Sequence, residues 1–129
     1  MEYIENLFKG RLSLGNFWIG LLLIIIACFP IGFIIFTLLN LLFPTDVSNL
    51  ISTPFFIAIL VLFYSMTIRR LHDVNKSGWF GLGVYLPIFG LYVLYLIFLE
   101  TGQSDDNKYG KVPDKKINIK NILGLSNKN

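Results

Sequence analysis

The sequence predicts an all-α membrane protein with three transmembrane helices between a short polar leader and a polar tail. Three observations predict it. The 129 residues are 54% hydrophobic and only 15% charged, against about 25% charge in ordinary soluble domains. The charges are segregated, with none at positions 15–45, 47–68 or 77–99. Each uncharged block holds a run long enough for a hydrocarbon core of ~30 Å, which takes ~20 helical residues. A soluble chain this short must cover a large surface with polar groups, and 19 charged residues do so poorly. Disorder is excluded as well, because it needs low hydrophobicity and high net charge.

The spans are expected at residues 17–42, 51–68 and 79–99. Lipid satisfies no backbone polar group, so each block must be a helix or a closed-barrel strand. Leu21-Leu22-Leu23-Ile24-Ile25-Ile26 does not alternate as a barrel strand does, and helix follows. Pro30 with Gly32 and Pro87 with Gly90 are expected to kink the first and third spans. The third block has a second reading, as a re-entrant hairpin bent at residues 87–90. Such a hairpin must be buried in protein, and so short a chain then needs an oligomer. The first apolar run is too long for a signal-peptide core and is expected to stay attached. Residues 1–113 thus read as one helical membrane domain and 114–129 as a Lys-rich tail. In that tail Ile117, Ile119, Ile122, Leu123 and Leu125 alternate with polar residues. The segment either lies on a membrane surface or frays.

Lysine and arginine set the orientation. The leader carries Lys9 and Arg11, the loop after the second span carries Arg69, Arg70 and Lys76, and residues 43–50 carry none. The positive-inside rule then puts the leader and the Arg69–Arg70 loop in the cytoplasm. Three spans would place the tail outside, although Lys108 and Lys111 lie close to the last span and Lys115, Lys116, Lys120 and Lys128 follow. The hairpin reading removes that conflict. Phe17-Trp18 and Trp79-Phe80 fit as aromatic anchors at the cytoplasmic ends.

The net charge is +3, and the charges flank apolar blocks rather than forming a stripe. A membrane surface is therefore the expected partner, and nucleic acid is not. Cys28 is the single cysteine, which excludes an internal disulfide, and it is expected to pack as a small hydrophobe. One histidine excludes a multi-histidine metal site. No nucleophile elbow, phosphate-binding loop or zinc-protease motif occurs. The spans hold no ionisable residue to mark an ion path. Asn40 is expected to bridge helices or to cap one. Residues 102–107 read as a turn.

The densest polar cluster is Arg69-Arg70-Leu71-His72-Asp73-Val74-Asn75-Lys76-Ser77-Gly78. On a continued helix Arg69, Asp73 and Lys76 share a face. Asp73 is placed to pair with Arg69 or Arg70, and the adjacent His72 diverges from it. Asn75 through Gly78 is turn chemistry, with Gly78 suited to a left-handed conformation. The cluster has three readings. It is a charge stop followed by a turn, a site where arginine forks hold an anionic lipid phosphate, or a His72–Asp73 relay. The relay requires the two side chains to converge on one cavity.

Gly10-Arg11 followed by Phe17-Trp18, then Arg69-Arg70-Leu71-His72-Asp73 and Ser77-Gly78-Trp79, resembles the bacterial "domain of unknown function 805" family. Pro87, Gly90, Gly102, Asn107, Tyr109-Gly110 and Pro113 extend the resemblance over residues 8–113. That family commonly carries a basic and an acidic residue where this chain has Leu14, Gly15 and Asn16, and residues 114–129 run past its usual end. The resemblance implies a small, multi-pass protein of the bacterial inner membrane, with its N-terminus cytoplasmic by the charge rule. It implies no activity, and points to Arg11, Arg69, Arg70, His72, Asp73 and Trp79 near the cytoplasmic face.

The expected function is a non-enzymatic membrane module with no cofactor, metal or catalytic residue. Arg11, Arg69, Arg70, His72, Asp73, Lys76 and Trp79 would contact anionic lipid headgroups or a partner protein, with Asp73 orienting an arginine. The alternative is an oligomeric transport or channel component in which Pro87 and Gly90 expose backbone carbonyls to a central path.

Overall fold

A computed structural model of the chain describes residues 7–125. Lys128 and the last residues of the expected tail lie outside this range. Among the described residues all regular structure is helical. Helix α1 runs Leu14–Leu42 and helix α2 runs Thr45–Asp73, 29 residues each with mean hydropathy 3.0 and 2.0. Each is about 43 Å long at 1.5 Å per residue, which exceeds a bilayer core. In their most apolar windows only 11% and 28% of residues are buried. A core helix of a soluble protein would be mostly buried, so these two are membrane-length helices with open apolar flanks.

Ser13 caps α1 by accepting from the Asn16 amide. Residues Ile24–Cys28 form a π-helical turn immediately before Pro30. Proline lacks an N–H and its ring crowds the carbonyl four residues back. The wider turn absorbs that misfit without ending the helix. Cys28 sits there, half-buried with a free thiol.

The connection to α2 is two residues long. The Ser48 hydroxyl, fully buried, donates to the Leu39 carbonyl across the turn at 3.0 Å. Helix α2 therefore begins six residues before the expected start and runs five beyond the expected end. Asn40 neither bridges nor caps; its amide donates to Phe36 on its own helix, 2.8 Å away. The two helices pack through Gly32, where an added Cβ would sit 2.5 Å from the Phe55 ring. Small residues let membrane helices approach in this way. Gly32→Val is expected to cost about 1–3 kcal/mol by overpacking, seen as a lower unfolding midpoint in detergent.

The third block is not one helix kinked at proline. A 3₁₀ segment, Gly78–Tyr85, is followed by α3, Pro87–Phe98. Pro87 opens α3 rather than bending it, because Leu86 is extended (φ −94°, ψ 125°), as a residue before proline prefers. The two pieces fold back on each other. The Phe80 and Phe89 rings lie 5.5 Å apart, and Gly90 leaves room for the Val84 carbonyl, 2.6 Å from where a Cβ would stand.

Helix α2 ends in a Schellman motif. The Asn75 amide donates to His72 and the Lys76 amide to Leu71. The left-handed residue is Asn75 (φ 58°), not the expected Gly78. The polar segments at this end of the hairpin form a cap over a small core of Leu12, Phe17, Met66, Leu71, Val93, Leu96, Ile97 and Ile122. Through residue 125 the tail packs back on the cap rather than fraying. A short helix, α4 (Ile119–Ile122), buries Ile122 against Gly20 and Met66.

Candidate functional site: a buried guanidinium–carboxylate cap

Leader, α2 end and tail meet at Asp73. The Arg11 Nε donates to Asp73 Oδ1 at 3.0 Å, and Arg70 donates to Asp73 Oδ2 at 2.8 Å. Arg11, Arg70 and Asp73 are 4%, 0% and 2% exposed. Arg11 also donates to the carbonyls of Gln103 (2.6 Å) and Asp105 (2.7 Å). Gly102 makes this closure possible, since the Asp73 carboxylate occupies the place a Cβ would take.

Arg70 turns its remaining donors to the carbonyls of Ile97, at 3.3 Å, and Glu100. These lie at the C-terminal end of α3, where orphan carbonyls and the negative end of the helix dipole favour a cation. Arg69 points elsewhere. It is 1% exposed and donates to Asn121 and Ile122 at the end of α4 and to Ser65 on its own helix. It has no carboxylate partner among the described residues. Each twin arginine thus caps the end of a different helix. These groups lie beyond the uncharged run of α2. Burial lowers the Arg69 guanidinium to a pKa of about 10, still protonated at neutral pH. Burial raises Asp73, and the guanidiniums of Arg70 and Arg11 pull it back.

His72 takes the other side of the cap. Its Nδ1 donates to the Gly10 carbonyl at 3.1 Å, which leaves Nε2 as the acceptor of the neutral ring. The ring stacks on Tyr109 at 3.9 Å and 5°. Asn107 donates to the His72 carbonyl at 2.9 Å. Burial lowers the His72 pKa, with Lys108 and Arg69 acting in the same direction and the Gly10 hydrogen bond opposing. Asp73 lines a cleft of about 360 Å³ with Ser13, Thr101, Gln103 and Lys115. His72 lines a separate groove of about 320 Å³ with Trp79. The two side chains do not converge on one cavity.

Of the residues expected to form an outward-facing basic site, Arg11, Arg69 and Arg70 are turned inward onto the chain's own acceptors. Lys76 is half-buried with its ammonium 5.5 Å from the Phe80 ring, and Trp79 is 80% exposed. Among the described residues after α3, Lys108, Lys111, Lys115, Lys116 and Lys120 are exposed. Asn16 was not singled out as a site residue. It is 1% exposed, donates to the Asp114 and Lys116 carbonyls and accepts from the Asn118 amide. It holds residues 114–118 against the start of α1.

An apolar helical hairpin under a polar cap defines a small integral membrane protein. Residues 6–111 match the family described as "Protein of unknown function (DUF805)", and the chain belongs to that family. It is 31% identical over 106 residues to inner membrane protein YhaI of Escherichia coli K12, covering 82% of this chain and 85% of the relative. It is 26% identical over 113 residues to inner membrane protein YhaH of the same strain, covering 85% and 88%. No solved structure matches the chain.

Proposed function

We propose that the chain is a non-enzymatic module of the bacterial inner membrane. The α1–α2 hairpin crosses the bilayer, and the cap's lysines rest on anionic headgroups. Residues 78–99 enter the cytoplasmic leaflet and return as two helical pieces, whose backbone groups pair within each piece, so the re-entry needs no oligomer to bury it. The carrying observation is that residues 78–99 begin and end beside the same turn of α2. They follow the four-residue turn after Asp73, and Arg70 binds Ile97 and Glu100 at their far end. Helix α3 has 12 residues, about 18 Å of helix against a core of ~30 Å. On this topology Lys9, Arg11, Arg69, Arg70, Lys76, Lys108 and Lys111 all lie on one face, with no Lys or Arg in the turn at residues 43–44. That distribution obeys the positive-inside rule without exception.

Sidedness tests the topology. In a Cys28→Ser background, Asn49→Cys is expected to react with a membrane-impermeant maleimide in intact cells. Ser104→Cys is expected to react only after permeabilisation. Labelling of Ser104→Cys in intact cells would establish three spans instead. The headgroup contact is tested by replacing Lys108, Lys111, Lys115, Lys116 and Lys120 with Gln. Each surface lysine is worth about 1 kcal/mol toward an anionic leaflet. The quintuple variant should lose the wild-type enrichment of anionic over zwitterionic lipid in extracted nanodiscs, and unchanged enrichment would reject the contact.

A further inference from the structure

The groove beside His72 has a built polarity. Tyr64, Ile68 and His72 recur at helical spacing along one face of α2, and Gly78, Trp79 and Leu82 of the 3₁₀ segment form the opposite wall, with Phe8 closing one side. Gly78 holds the walls together, since a Cβ there would stand 2.8 Å from the Ile68 side chain. Toward the membrane the walls are Tyr64, Ile68 and Leu82. Toward the cap they are His72 and Ser77, and no carboxylate is among the lining residues. Two cations lie near this polar end without lining it. Lys76 adjoins Ser77 in the chain and holds its ammonium 5.5 Å from the Phe80 ring, and Lys108 lies 5.0 Å from the Tyr109 ring that stacks on His72. Trp79 is 80% exposed, standing at the lip of the groove. Arg69 binds backbone carbonyls, Arg70 binds carbonyls and the Asp73 carboxylate, and neither serves this site.

We infer that this groove is a binding site for one anionic phospholipid. An acyl chain lies along Tyr64, Ile68, Leu82 and Trp79, and the phosphate sits between the Ser77 hydroxyl and the Lys76 ammonium. The apolar walls select a lipid over free phosphate, and the flanking lysines select an anionic headgroup over a zwitterionic one. The volume of about 320 Å³ is in the range of small-ligand sites. The inference rests on the proposed placement of the cap at the membrane boundary. It adds a discrete site at Ser77 and Lys76 to the tail lysines' diffuse contact, with Lys108 common to both.

The test uses the full chain with Trp18→Phe, so that Trp79 is the only tryptophan, and with Lys111, Lys115, Lys116 and Lys120 replaced by Gln to remove the diffuse contact, in phosphatidylcholine vesicles. Dibrominated phosphatidylglycerol at about a tenth of the lipid is expected to quench Trp79 severalfold more than the same fraction of dibrominated phosphatidylcholine. Ile68→Phe, which fills the groove, should remove the excess and leave ordinary quenching by surrounding lipid. Leu82→Phe is the second filling variant should the first misfold. Lys76→Gln should abolish the preference for phosphatidylglycerol. Quenching that follows bulk lipid fraction equally for both lipids overturns the site, as does an excess that survives both filling variants. A Trp79 shielded from every brominated lipid means a protein fills the groove, and that also overturns it. None of these outcomes bears on cysteine sidedness, so failure of the site and failure of the topology are separable.

Discussion

Asp73→Ala is expected to lower the unfolding midpoint of the detergent-solubilised protein by on the order of 10 °C. The carboxylate is the shared partner of two buried guanidiniums, with Arg11 and Arg70 at 3.0 and 2.8 Å. Removing one partner of a buried ion pair costs about 3–5 kcal/mol, because it leaves the other charge uncompensated. Here two charges are stranded at once. For a domain of this size, 1 kcal/mol moves the midpoint by roughly 2–8 °C. Asp73→Asn separates charge from hydrogen bonding. It keeps one acceptor for one arginine and should fall between wild type and Asp73→Ala. A midpoint for Asp73→Ala within about 2 °C of wild type would mean the triad contributes little. A loss in Asp73→Ala restored by Arg70→Met in the same chain would show that the penalty is the stranded charge.

The triad explains what the sequence disclosed and what it concealed. The hairpin was legible because charge is excluded from positions 15–45 and 47–68, and lipid enforces that exclusion residue by residue. Helix ends were less legible. Thr45, Asp46 and Ser48 read as loop by composition, yet Ser48 satisfies the turn carbonyls and lets α2 start at once. The third block reads as a kinked helix or as a hairpin, because a proline inside an apolar run carries the same composition whether it bends a helix or opens one. Only the extended Leu86 before it decides. Spacings of four and three residues offer Asp73 either Arg69 or Arg70 as a partner, and Arg70 is the one it takes. Spacing does not offer Arg11, 62 residues away, because no local pattern records a contact made by chain reversal.

The twin arginines were read as a surface because charged side chains are rarely buried. One physical clue was available. Adjacent residues of a helix point about 100° apart, so Arg69 and Arg70 could not form a single outward fork. The carbonyls they serve belong to the ends of α3 and α4, and a sequence gives no mark of where an orphan carbonyl will arrive. Asn16 is the counterpart case. A side-chain amide that both donates and accepts can bind a passing backbone strand, and residues 114–118 pass there.

Arg69→Met is expected to release the tail. The guanidinium hydrogen-bonds α2 to the end of α4, through the Asn121 and Ile122 carbonyls, while Ile122 fills the gap at Gly20 beside Met66. Hydrogen bonds to a charged group contribute about 1.5–3 kcal/mol each, and a buried carbonyl left unpaired costs about 1–3 kcal/mol. Every 1.4 kcal/mol is a factor of about ten in the open population. Trypsin cleavage after Lys115, Lys116 and Lys120 should therefore accelerate by about tenfold or more, read by mass spectrometry of timed digests. Arg69→Lys should recover only part of the protection. An ammonium lacks the planar fork that reaches two carbonyls together. Asn16→Ala acts on the same segment from the other side and should accelerate the same cuts by a smaller factor. The signature that separates Arg69 from Asp73 is locality. Loss of Arg69 should open residues 114–125 before the core melts, whereas loss of Asp73 lowers the midpoint of the whole cap. Digestion at wild-type rates in Arg69→Met would mean that Ile122 and Asn16 hold the tail unaided.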